Sequence, residues 1–144
     1  EFWSEDFFAV FPKDDIHAKL ETINADELAT ANLMLLGEGH CLTDQTLSVC
    51  HFDRAQMKSS FSDASLNTLI QMALANMGTT LVPEMALDQL HLQNQNAVAI
   101  PLAEDGPHRH IAFVTRLNYA RVDDVSLLGE VFNKAFKDAV ANKE

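Results

Sequence analysis

The sequence predicts an α/β fold with a largely parallel sheet. Short apolar runs that read as strands alternate with segments of helical period. The run Leu33-Met34-Leu35-Leu36 ends at two glycines, Gly37 and Gly39, and a helix-compatible stretch follows at once. Between residues 65 and 77, Leu66, Leu69, Ile70, Ala73, Leu74 and Met77 share one helical stripe, with Gly78 as the expected stop.

The elements follow in order. Phe7-Phe8-Ala9-Val10-Phe11 reads as a strand, stopped by Pro12 and a Lys13-Asp14-Asp15 turn. Asn24 is placed to cap a short helix through Leu28, with Asp26 and Glu27 at its positive end. Residues 33–36 form the next strand, and residues 41–50 a short helix with Asp44 in its first turn. Residues 57–62 alternate as a strand does. After the 65–77 helix come a strand at 79–82, one helical turn opened by Pro83, and a polar loop at 90–96. A strand at 98–102, a turn at Glu104-Asp105-Gly106-Pro107 and a strand at 111–115 lead to a last helix, 123–140. Its expected buried stripe is Leu128, Val131, Phe132, Ala135, Phe136 and Ala139.

Charge and cysteine count narrow the function. Ten basic residues face 21 acidic ones, a formal net charge of -11. A phosphate backbone needs clustered Lys and Arg, so these 144 residues make a poor direct DNA binder. No apolar run approaches the roughly 18 residues of a membrane span. The chain opens acidic and aromatic, unlike a signal peptide. Two cysteines are not the disulfide framework of a small secreted domain, which leaves thiols with a special role or two inert hydrophobes.

Cys41 and Cys50 stand nine positions apart. On one straight helix that spacing separates their Cα atoms by roughly 13 Å, from about 1.5 Å of rise per residue. A disulfide needs about 4.4–6.8 Å. Helix and bond therefore exclude each other, and pairing requires the segment to refold. Cys41 falls at a helix start, where free N–H groups and the dipole favour a thiolate. His40 adjoins it, and Arg109, within His108-Arg109-His110, is a candidate counter-ion. His40-Cys41 and Cys50-His51 lack the spacing of a zinc site, and no metal or cofactor is expected.

Gly39-His40-Cys41-Leu42-Thr43-Asp44-Gln45, with a second cysteine nine positions after the first, resembles the redox loop of OxyR-type regulators. These are the peroxide-sensing branch of the LysR-type bacterial transcription regulators. The flanking chain resembles LysR-type effector domains over nearly all its length. The resemblance implies two α/β subdomains like those of periplasmic binding proteins, the chain crossing between them twice. Residues 1–10 would be a crossover strand from the first subdomain, 11–110 the second subdomain with the redox loop, and 111–144 the returning strand and helix of the first. Phe2, Trp3, Phe7 and Phe8 are then expected to be short of neighbours.

Residue by residue, the resemblance makes Cys41 the peroxidatic and Cys50 the resolving cysteine, with His40, Asp44 and Arg109 lining the peroxide pocket. Thr43 stands where such regulators often have a basic residue, and Ser60 where they often have a histidine. The implied partners are hydrogen peroxide, further copies of the chain as a dimer or tetramer, and a thiol reductant of the glutaredoxin or thioredoxin type. DNA would be bound only through a separate N-terminal domain, and the setting would be the cytoplasm, with no membrane. The implied role is that of a sensor in a transcription activator, not an enzyme. Two alternatives stay open. One is a LysR-type domain for a small organic effector, its cysteines incidental. The other is a thiol peroxidase, although the Pro-x-x-x-Thr motif of peroxiredoxins is absent before Cys41.

Overall fold

A computed structural model describes residues 1–37, 39–53, 60–61, 64–88 and 96–141, the side chains of 60, 61, 140 and 141 excepted. Along the chain run β1 (Trp3–Glu5), β2 (Phe7–Pro12), a 3-10 turn (Ile16–Lys19), α1 (Ala25–Thr30), β3 (Leu35–Leu36), α2 (Cys41–Val49) and β4 (Ser60–Phe61). Then come α3 (Leu66–Leu74), β5 (Thr80–Pro83), a second 3-10 turn (Glu84–Ala86), β6 (Ala97–Pro101), β7 (Arg109–Ile111) and α4 (Val122–Ala141). The chain divides into two compact units, Glu5–His108 and Glu1–Ser4 with Arg109–Glu144.

The larger unit is built on β2. Phe7, Ala9 and Phe11 point to one face and meet Ile23, Leu28, Leu81 and Ile100. Val10 points to the other and meets Ile70 of α3 and Val82. A strand buried on both faces has a near-continuous apolar sequence, and each large side chain so buried stabilises by about 1.5–3 kcal/mol. The sheet order is β5-β2-β6, and both pairings are antiparallel, with Ala9 opposite Leu81 and Ile100. The expected largely parallel sheet is thus corrected to a mixed arrangement. Parallel pairing is found between β3 and β4 and at the bridges Leu33–Thr79 and Ile23–Leu102. Strand–helix alternation dictates direction only for strands joined through a crossover helix. No such helix precedes β2, so the rule does not govern it.

Local signals fix the helix ends. Asn24 accepts a hydrogen bond from the Glu27 amide at 2.9 Å, and the Glu27 carboxylate accepts one from the Asn24 amide, a complete capping box worth about 1 kcal/mol. Ser65 caps α3 by accepting from the Thr68 amide. The expected run to Met77 is too long. Asn76 takes a left-handed φ of +60°, and the amides of Asn76 and Met77 donate back to Ala73 and Met72. That closure ends the helix at Leu74 and leaves Met77 exposed. Gly78 serves a close approach instead: a Cβ there would collide with the Asn32 carbonyl, beside the Leu33–Thr79 bridge. Of the strand expected at 57–62, Ser60 and Phe61 form β4, and the rest falls outside the described residues, as does most of the 90–96 loop.

The smaller unit holds β1, β7 and α4. The strand expected at 111–115 lies instead at Arg109–Ile111, where it pairs with β1. Phe2 and Trp3 are not short of neighbours. The Phe2 ring centroid is 4.6 Å from Phe113 and 5.7 Å from Phe132, and that of Trp3 is 5.0 Å from Phe136. The Asn133 side-chain amide donates to the Phe2 carbonyl at 2.6 Å. The stripe expected to be buried on α4 is corrected as well. Leu128, Val131, Phe132, Ala135 and Ala139 are exposed, while Val125, Gly129, Asn133 and Phe136 are partly covered. The helical period was legible, but β1 and Phe113 are too small a surface to cover the whole stripe.

Candidate functional site

Gly39 starts the site. Its φ of +87° lies where only glycine is unstrained, so the chain can turn out of β3 and into α2. His40 is the N-cap residue of α2, but its side chain makes no capping bond and is exposed. Its carbonyl accepts from the Thr43 amide at 3.0 Å and the Asp44 amide at 3.4 Å. Cys41 is the first residue of α2 and is exposed, and Asp44 lies in the same first turn. The Thr43 hydroxyl, buried, donates to the Leu36 carbonyl at 3.0 Å and ties the start of α2 to the end of β3.

The far end of α2 is closed differently. Cys50 is the C-cap residue and only 5% exposed, packed in the cluster of Phe7, Phe11, Leu28 and Leu81. His51 takes a left-handed φ of +53°, and Phe52 and His51 donate their amides to Leu47 and Ser48. Burial pushes the Cys50 thiol up to about 12, with the negative charge of Glu104 adding to the shift. That carboxylate also accepts from the Ala25 amide at 2.7 Å, at the start of α1. Both cysteines are free. They bracket a nine-residue helix, one at each end. At about 100° per residue they sit roughly half a turn apart around its axis.

Of the residues singled out from sequence, His40, Cys41 and Asp44 come together in one helical turn, and Cys50 is held apart in the core. Arg109 is half-buried at the start of β7, in the other unit. The histidine–arginine cluster does not act as one group. His108 is buried: the Phe7 amide donates to its Nδ1 at 3.0 Å, so Nε2 carries the proton and donates to the Glu104 carbonyl. His110 is exposed beside the Glu1 carboxylate. Sequence reasoning missed Thr43 as an anchor and Glu104 as the charge near Cys50; the first shows only as a polar residue on the inner side of α2. A broad, open hollow of about 790 Å³ lies in the smaller unit, lined by Phe2, Phe113, Val125 and Asn133, and contains neither cysteine. Among the described residues, no helix is long and apolar enough to cross a membrane, and no three His, Cys, Asp or Glu side chains converge as metal ligands.

A family model of the LysR substrate binding domain matches residues 1–137. The chain belongs to that family. A LysR substrate-binding domain is a regulatory part of transcription regulators, not an enzyme, which removes the thiol-peroxidase alternative. The chain is 35% identical over 112 residues to the HTH-type transcriptional regulator EstR of Acinetobacter baylyi, covering 78% of this chain and 37% of that protein. It is 31% identical over 137 residues to a probable hydrogen peroxide-inducible genes activator of Streptomyces viridosporus, covering 94% and 44%. The reduced form of the OxyR2 regulatory domain from Vibrio vulnificus superposes with a TM-score of 0.77 at 32% identity, covering 92% of this chain and 62% of that one. This LysR domain thus spans less than half the length of those two full-length relatives. Its fold is that of OxyR regulatory domains, as the resemblance implied.

Proposed function

We propose that this LysR-type domain senses hydrogen peroxide and switches through a reversible Cys41–Cys50 disulfide with local refolding of α2. The observation that carries the reading is the unequal placement of the two free thiols on one short helix, Cys41 exposed at its start and Cys50 buried at its end. The Cys41 thiolate attacks one oxygen of the peroxide and the O–O bond breaks. The second oxygen leaves as hydroxide and is protonated to water, which makes Cys41 a sulfenic acid. His40 and Asp44 border the attacking sulfur in sequence and turn; the part of Arg109 is the one that the sequence resemblance implies. A thiol held near pKa 12 does not compete for peroxide at neutral pH, so Cys50 stays in reserve. Once α2 loosens, its sulfur attacks that of Cys41, water departs, and the disulfide forms. A thiol reductant of the glutaredoxin or thioredoxin type supplies the two electrons for reset.

In this reading the redox-bearing subdomain is the larger unit, Glu5–His108, which takes in β2, and Glu1–Ser4 with Arg109–Glu144 belong to the other. The whole protein would be a cytoplasmic homo-oligomeric activator that contacts DNA through a separate domain. A small organic effector is the second reading, favoured by the family model, which is that of a substrate binding domain. Intact mass and thiol counting after one equivalent of hydrogen peroxide separate the two. The proposal expects loss of both thiols and 2 Da, and a trapped sulfenic acid on Cys41 in Cys50→Ser. Two unreacted thiols would leave the organic-effector reading.

A further inference from the structure

Four threonines are buried among the described residues: Thr43, Thr46, Thr79 and Thr80. Three are satisfied. Thr43 donates to the Leu36 carbonyl, Thr79 to the Val10 carbonyl and Thr80 to the Met34 carbonyl, each at 3.0–3.1 Å. Thr46, in the middle of α2, is 0% exposed and its hydroxyl has no hydrogen-bond partner. Even the carbonyl one turn back, the usual acceptor for a helical threonine, is not engaged. Beside it lies a void of about 10 Å³, bordered by Met34, Leu36, Leu69 and Leu81. That is about the least space that admits one water, and the surrounding side chains are mostly apolar. On the same helix the Gln45 side-chain oxygen is likewise buried without a partner. α2 therefore rests on the core through a hydroxyl with no protein partner and an imperfectly filled gap, both of which weaken packing.

We propose that Thr46 is the residue that tunes the redox switch, by weakening the reduced packing of α2 so that disulfide formation becomes accessible. The inference rests on the peroxide-switch reading and deepens it. A disulfide between Cys41 and Cys50 is incompatible with a straight α2, so Thr46 leaves its site in the oxidised form and its hydroxyl meets water. The penalty is present on the reduced side alone, and only a difference between two states shifts their balance. Thr46 acts through the helix that carries the cysteines. It is a positioning residue.

Thr46→Val tests this in the present chain, because valine keeps the shape and the β-branch and removes only the hydroxyl. The chain is equilibrated in glutathione buffers. There the protein dithiol gives two electrons and two protons to glutathione disulfide, which leaves as two glutathione thiols. Thr46→Val is expected to lower the disulfide-forming equilibrium constant about tenfold, a midpoint about 30 mV less negative. Hydrogen exchange across 41–50 of the reduced form should slow by a similar factor, while sulfenic acid formation in a Cys50→Ser background stays unchanged. Thr46→Ser keeps the hydroxyl and loses the methyl, and should move both equilibrium readouts the other way. A Thr46→Val midpoint equal to that of the parent, or a Thr46→Ser variant that follows Thr46→Val, overturns the proposal. Failure of the parent chain to form any disulfide has a different signature and sinks the switch itself.

Discussion

Cys50 shows how burial alone assigns a chemical role. Its reference pKa is 9.0 and its folded value about 12, raised by desolvation first and by Glu104 second. Below about pH 9 the thiol is neutral in folded and unfolded chain alike, and the burial of a neutral group contributes its stability in full. As pH rises from 9 towards 12 the unfolded chain ionises first, and that contribution is lost. Urea midpoints of the reduced chain are therefore expected to fall across that window, less so in Cys50→Ala. Iodoacetamide at neutral pH should modify Cys41 well before Cys50, followed by peptide mass. Equal rates would mean that the Cys50 environment is not the closed one seen here. His40, Cys41 and Asp44 were legible as a group because neighbours in sequence share one helical turn. The burial of Cys50, the anchoring bond of Thr43 and the orphan hydroxyl of Thr46 were not, because each depends on what packs against α2 from distant parts of the chain.

Among the elements, α2 and α3 contrast. Both end in the same left-handed closure, at His51 and Asn76. α3 presents Leu69, Ile70 and Ala73 to the core, whereas α2 buries Thr43 and Thr46 and leaves Leu42 and Leu47 half-covered. A helix that buries a hydroxyl without a protein partner, as α2 does at Thr46, is held less firmly than one that buries only apolar groups. Hydrogen exchange of the oxidised and reduced chains should accordingly differ across 41–52 and coincide across 66–74. Matching protection in 41–52, with the disulfide confirmed by mass, would contradict the refolding of α2. The capping box at Asn24 was plain in the sequence because it needs only residues three apart. The end of α3 was misplaced because Gly78 is the more obvious terminator, while Asn76 adopts the required φ two residues earlier.

For the whole molecule, the alternation of strands and helices gave the α/β class, and what it left out was strand direction around β2. The smaller unit bears the clearest consequence of the uncovered apolar stripe. Val114 is 93% exposed, Leu127 62% and Val131 58%. Exposed apolar surface, when it is contiguous, drives association. Analytical ultracentrifugation across a concentration series is expected to show reversible self-association, weakened in a Leu127→Ser, Val131→Ser variant and strengthened by added salt that screens the charge of -11. A monomer at every concentration would show that net repulsion outweighs the exposed stripe.

The two ends of the larger unit are stitched together. The His108 amide donates to the Glu5 carbonyl at 3.1 Å, and its imidazole receives the Phe7 amide. A module whose entry and exit lie side by side can be spliced into a surface loop of an unrelated carrier without stretching either. Residues 5–108 thus begin and end at one point, and the span between holds both cysteines along with the helix that separates them.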